Sequence, residues 1–150
     1  MLDKSDWGSL IPHQGTMCLL DSVVTWNAES LHARTASHRR ADNPLRADAV
    51  LRALHLAEYG AQAMAVHGAL SARANGAAAR PGLLVSLRGV KLQVQRIDDL
   101  PGDLDVHAEK LLDSDTSWQY AFRIEHAGDV IASGRAAVMV GGDMTQGANP

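Results

Sequence analysis

Two hydrophobic periods divide this chain. From Ala49 to Leu70 the sequence is mostly Ala, Leu, Val and Met, with Leu51, Leu54, Leu56, Met64 and Val66 spread around every helical face. A helix that is apolar on all sides is a buried one, so the pattern predicts a buried helix over Ala49–Leu70. At roughly 100° per residue, His55, Glu58 and Gln62 fall within about 60° of one another, a narrow polar stripe on that helix. Elsewhere the period is two. Met17–Trp26 (MCLLDSVVTW) is an apolar, β-branched run, and Ser30–Ser37 alternates Leu31, Ala33 and Thr35 with His32 and Arg34, so both are predicted strands. After the helix, Leu83–Ile97, Gly102–Leu112, Ser117–His126 and Asp129–Val140 alternate in the same way.

Turn residues supply the punctuation. Asn43-Pro44 and Asp48 precede the helical pattern, Leu100-Pro101-Gly102-Asp103 separates two strands, and His126-Ala127-Gly128-Asp129 reads as a hairpin turn. Ser71–Gly82 is small, Gly/Ala-rich and ends at Pro81, a flexible connection. The sum is an α+β chain: an antiparallel β-sheet wrapped around one long central α-helix, the simplest way to bury that helix. One domain is expected over residues 1–150, with a core of about 11–140 and a polar tail over 141–150.

Composition narrows the function. A net charge of −3 and 4% aromatic residues argue against nucleic acid, which needs a basic footprint or stacking platform. The single cysteine, Cys18, leaves no internal disulfide and no thiolate cluster; in its apolar run it reads as a core residue. No apolar run is long enough to span a membrane without a polar break, and Met1–Gly8 has no signal-peptide core. A cytoplasmic location is the expectation.

Four stretches carry a resemblance. Ile11-Pro12-His13 followed by Met17-Cys18-Leu19-Leu20-Asp21, Glu58-Tyr59-Gly60-Ala61-Gln62-Ala63, Leu100-Pro101-Gly102-Asp103 and Val130–Ala136 are collinear with the hotdog-fold beta-hydroxyacyl-acyl carrier protein dehydratases. The segment Asn-Pro-Leu at 43–45, with Glu-Tyr-x-Ala-Gln-Ala-Met-Ala from Glu58, most resembles the shortened dehydratase-like proteins of aryl polyene and xanthomonadin pigment biosynthesis. The chain departs from the larger family in one respect: Asn43–Glu58 is shorter and lacks the Gly-His-Phe-Pro loop that carries the family's catalytic His.

The resemblance implies a hotdog fold, a pocket between two protomers, and a homodimer or a heterodimer with a second hotdog protein. It also implies a carrier protein with a phosphopantetheine-linked acyl chain as partner, no cofactor, and Glu58 as a catalytic carboxyl. Dehydrating a 3-hydroxyacyl thioester removes a C2 proton and protonates the departing hydroxyl, work suited to an imidazole and a desolvated carboxyl, with helix N-terminal amides on the thioester oxygen. The alternative for Glu58 is an ion pair with Arg52 or Arg88. For the base there are two candidates. His13 lies in the opening segment near the expected pocket mouth, or is a turn residue beside Pro12; His55 can hydrogen-bond Glu58 one turn away, as base or as orienting partner. His38 ranks third, and His32, His107 and His126 read as solvated, with His67 at a boundary. Gln62 is expected to orient Glu58 or substrate. Arg46, with Arg39-Arg40, either meets a phosphopantetheine phosphate or acidic carrier or is a solvated loop. His55 and Glu58 have the spacing of metal ligands, with His13 as a third, but nothing else asks for a metal. Thioester hydrolysis, and a non-catalytic subunit completing another dehydratase, stand as alternative functions.

Overall fold

The computed structural model describes residues 1–77 and 82–140. The predicted polar tail, and residues 78–81 of the predicted connection, lie outside the described residues. Along the chain come β1 (Leu2–Asp3), α1 (Lys4–Trp7), β2 (Ser22–Trp26), β3 (Ser30–Thr35), α2 (Leu56–Ala74), β4 (Gly82–Leu92), β5 (Leu104–Asp113), β6 (Ser117–His126) and β7 (Asp129–Val140). The strands form an antiparallel sheet in the order β1-β2-β3-β5-β6-β7-β4.

Alternation decides the faces. Leu31, Ala33 and Thr35 of β3, Leu104, Val106 and Ala108 of β5, Tyr120, Phe122 and Ile124 of β6, and Ala132 and Ala136 of β7 are buried. Their neighbours His32, Arg34, Asp105, His107, Arg123 and Arg135 occupy the opposite face, as the period of two requires. Helix α2 buries Leu56, Tyr59, Ala63, Met64, Val66, Ala69 and Leu70 in the same core. It sits very close to the sheet because two of its residues lack a side chain. A Cβ on Gly60 would meet Phe122 at 2.7 Å, and one on Gly68 would meet Trp118 at 2.8 Å.

The helix does not run over Ala49–Leu70. Asp48 and Ala49 take positive φ (54° and 61°), inside a turn closed by hydrogen bonds between Ala47 and Val50. Leu51–Ala53 is then extended: Ile97 N–H donates to Leu51 O, Ala53 N–H donates to Gln95 O, and Arg52 bridges Arg96. Asp98 anchors this stitch by accepting from Leu51 N–H and from Arg96, whose guanidinium holds the carboxyl well below the usual range. A 3₁₀ turn, Ala53–His55, leads into α2, which continues to Ala74. The same stitch ends β4 at Leu92 rather than Ile97.

The predicted first strand is also shorter. Gly15–Met17 is a 3₁₀ turn, and the buried Cys18, Leu19 and Leu20 precede β2 instead of belonging to it. Two edges are left open. β1 is two residues long, whereas β4 is eleven and pairs only with β7 among the described residues.

Candidate active site

Glu58 stands in the first turn of α2 and is exposed. The expected buried stripe is therefore corrected. The stripe assumes continuous α-helix from Ala49, whereas His55 closes a 3₁₀ turn just before α2 and is half-buried, and Glu58 is exposed. Among the described residues, no hydrogen bond joins His55 to Glu58, and neither Arg52 nor Arg88 pairs with it. Leu54, four residues before Glu58, is 64% exposed, although its neighbours Ala53 and Leu56 are buried.

Gln62, the third member of the stripe, is fully buried and turned inward. Its Oε1 accepts from Leu19 N–H at 2.8 Å and its Nε2 donates to Met17 O at 2.6 Å. Both halves of the amide thus serve backbone groups more than forty residues away, and neither reaches Glu58. Arg46 is likewise engaged locally: its Nε donates to Arg40 O at 2.7 Å, Nη1 to Ala49 O at 3.1 Å and Nη2 to His38 O at 3.4 Å. It braces the loop between β3 and α2 through these three carbonyls. The helix start is self-capped as well. Leu56 N–H donates to Ala53 O and Leu54 O, so that amide is not open to a thioester oxygen.

His13 is half-buried, and its Nδ1 is shielded from solvent with no hydrogen-bond partner among the described residues. Gln14 fixes the backbone around it, donating from Nε2 to Gly8 O at 3.0 Å and to Ile11 O at 2.9 Å. His38 Nδ1 is likewise shielded and unpartnered among the described residues, but His38 is bonded through its other nitrogen and fully buried, whereas His13 is only half-buried. His67, expected at a boundary, is fully buried: Nε2 donates to Asn27 O at 2.9 Å and Nδ1 accepts from the Tyr120 hydroxyl at 2.8 Å. Burial lowers its pKa and raises that of Tyr120. His38 is also buried, donating from Nε2 to Leu100 O at 3.0 Å, and burial lowers its pKa.

Three polar groupings escaped the sequence reading. Thr35, Ser37, Asn43 and Tyr59 form a buried chain: Ser37 Oγ lies 2.9 Å from Tyr59 Oη, Asn43 Nδ2 donates to the same hydroxyl at 3.1 Å, and Thr35 Oγ1 and Ser37 Oγ are 2.9 Å apart. It ties the end of β3 to the turn of α2 that carries Glu58, and burial pushes the Tyr59 phenol up. On the outer face of the sheet, His32 donates to Asp105 at 2.7 Å and His107 to Glu125 at 2.9 Å. Their rings stack with centroids 4.3 Å apart, so neither is the freely solvated histidine expected. Third, Lys110 lies over the Trp118 ring at 4.6 Å. The outward positions of His32, Asp105 and His107 were visible in the alternation; the registers that bring these groups together were not. Cys18 is buried, and burial raises its thiol pKa, as befits a core residue. Among the described residues no three His, Cys, Asp or Glu side chains gather as a metal site, and no helix is long and apolar enough to cross a membrane.

Comparison with known proteins adds the following. Residues 6–148 match the family model described as ApeP-like, ApeP dehydratase. The dehydratase heterocomplex ApeI:P from Xenorhabdus doucetiae contains a chain that superposes with a TM-score of 0.83 at 23% identity, covering 94% of this chain and 95% of that one. Zebra fish thioesterase superfamily member 2 superposes at 0.65 with 14% identity (92% and 95% covered). A hypothetical thioesterase from Streptococcus pneumoniae, solved with coenzyme A, gives 0.59 with 11% identity (79% and 84% covered). At these identities the structures establish the hotdog fold. No protein of curated function matched the chain.

Proposed function

The chain belongs to the ApeP-like dehydratase family, and from that premise we propose that it takes part in eliminating water from a 3-hydroxyacyl group carried as a thioester on an acyl carrier protein. A base takes the C2 proton, the C3 hydroxyl leaves as water after accepting a proton, and Glu58 supplies the carboxyl. The C2–H bonding pair becomes the C2=C3 double bond as the C3–O pair leaves with the water, so there is no net oxidation or reduction and no redox cofactor is called for. His13, with its shielded and unpartnered Nδ1, is the first choice of base within this chain, ahead of His55.

The observation that carries this reading is the exposure of Glu58 and, in the turn just before it, of Leu54, at the start of a helix whose large apolar side chains Leu56, Tyr59, Met64, Val66 and Leu70 are all buried. A carboxyl that works as an acid near neutral pH has to be taken out of water. The helix start is stitched to the chain running on from β4, whose outer edge is open. A second hotdog protein added to that edge, with Leu87, Val90 and Leu92 exposed along it, would extend the sheet and bring cover toward Glu58. The ApeI:P structure is a heterocomplex, which supports a different hotdog chain as that partner. The lack of an imidazole bonded to Glu58 favours a narrower second reading: this chain gives the carboxyl or the framework, and the partner supplies the histidine.

The test is direct. The purified chain, alone and with a candidate hotdog partner, is incubated with 3-hydroxyacyl-carrier protein, and intact-mass spectrometry follows loss of water against release of free acid. Water loss falling by about 10²–10⁴-fold in Glu58→Ala, with an unchanged melting temperature, is the expected result. His13→Ala should slow turnover in the same assay, while His67→Ala should lower the melting temperature instead. Free acid as product would identify a thioesterase. Turnover untouched by Glu58→Ala would leave this chain a non-catalytic subunit.

A further inference from the structure

The outer face of the sheet carries a charge arrangement that the proposed chemistry does not use. Across β3, β5, β6, β7 and β4, the residues Ser30, Glu109, Ala121, Arg135 and Arg88 lie side by side in register. Glu29 adjoins Ser30 at the acidic end. The row is acidic on one side of Ala121 and basic on the other, and it crosses a groove of about 760 Å³ that Glu29, Glu109, Ala121 and Arg135 help to line. Among the described residues none of Glu29, Glu109, Arg135 and Arg88 takes part in an ion pair, in contrast to Arg34 and Arg123 in the next rows, which pair with Asp105 and Glu125.

We propose that this face docks a second copy of the chain, back to back, about a two-fold axis that lies between the two sheets and runs parallel to β6 at Ala121. Such an axis interchanges the strands on either side of β6, so Glu109 of one copy meets Arg135 of the other, twice, and Glu29 meets Arg88 in the outer pairs. A two-fold contact must be self-complementary. A row with acid at one end, base at the other and a small residue at its centre meets that requirement. Strands are spaced about 4.8 Å apart, which puts Glu109 and Arg135 each one strand from the axis. Ala121 is the shortest non-glycine side chain, so the two sheets can approach at the centre. The long side chains of one copy then enter the groove of the other. The patch is small and polar, of the kind used in weak, salt-sensitive association. It uses the outer face of the sheet, reaching Arg88 on β4, rather than the hydrogen-bonding edge of that strand, so the unit that doubles is whatever the chain forms through that edge.

Sedimentation over a concentration series tests this on the full chain. The native protein should double in mass as concentration rises, and high salt should abolish the doubling. Arg135→Glu alone, which sets Glu109 against a glutamate, and Glu109→Arg alone, which sets Arg135 against an arginine, should each fail to double. An equimolar mixture of the two variants should double again, because a mixed pair restores opposite charges at both contacts. That recovery also shows that each variant is folded. Doubling retained by either single variant, or no recovery on mixing, would overturn the proposal. So would a native chain that stays undoubled while its basic half captures an acidic carrier protein.

Discussion

Gln62→Leu separates a structural amide from a substrate-facing one. The substitution keeps the bulk and removes both hydrogen-bonding functions, leaving Leu19 N–H and Met17 O without their partner. Leu19 is fully buried, so its amide bears the full cost of about 1–3 kcal/mol for an unsatisfied buried group. Met17 is half-buried, and its carbonyl recovers part of that cost from water. The sum is about 2–4 kcal/mol, a large share of the roughly 5–15 kcal/mol that holds a domain together. For a chain of this size it corresponds to about 4–16 °C in melting temperature. Circular dichroism melts and urea titration give the loss, and hydrogen exchange at the Leu19 amide should accelerate in the variant. Gln62→Glu sharpens the test. The carboxylate still accepts from Leu19 but places an anion 2.6 Å from Met17 O, a clash relieved when the carboxyl protonates and donates. Relative to the native protein, that variant should therefore regain stability as pH falls through the carboxylic range. Were Gln62→Leu to melt within about 1 °C of the native chain while losing turnover, the amide would face substrate and the structural assignment would be wrong.

Two further predictions concern the interior. His38 and His67 are held neutral by burial, with folded pKa values lowered from the ordinary 6.5. Above that value both folded and unfolded chains leave them neutral and stability is complete. Below it the unfolded chain binds protons that the folded chain resists, so urea midpoints should drop as pH falls from 6.5 toward the lowered values; His67→Gln should flatten that slope, and a slope unaltered by it would assign the loss to other groups. Gly60→Ala should cost about 1–3 kcal/mol through overpacking, because its methyl would meet the Phe122 ring at 2.7 Å, and Phe122→Leu in the same chain should recover part of the loss in the same melts; no recovery would place the strain elsewhere.

The hairpin strands were legible to the residue and the helix start was not, for one physical reason. β6 and β7 occupy Ser117–His126 and Asp129–Val140 as the alternation predicts, since their pairing is local and the Ala127-Gly128 turn, with both residues at positive φ, sets the register. Leu51 is as apolar and as buried as Leu56, but it owes its burial to an extended stitch with Ile97, 46 positions away, and helical periodicity cannot tell the two kinds of burial apart. The error then passed to the site. With the helix beginning at Leu56, His55 falls in the turn before it and no hydrogen bond joins it to Glu58 among the described residues, and Gln62 is as fully buried as Tyr59. What remained readable was residue type: a carboxylate one turn into an otherwise apolar helix.

That residue type, set against its exposure, constrains how the chain works. General-acid chemistry needs a carboxyl shielded from water, and Glu58 is exposed although Tyr59 and Gln62, in the same turns of α2, are fully buried. The Thr35-Ser37-Asn43-Tyr59 hydrogen bonds and the Asp98 anchor fix the backbone that presents Glu58. On the proposed reading its position belongs to this chain and its desolvation to the partner. Activity should then rise with partner occupancy along the β4 edge, and a charged residue placed there, such as Val90→Lys, should lower turnover in proportion to the complex it removes while leaving the melting temperature of the isolated chain unchanged.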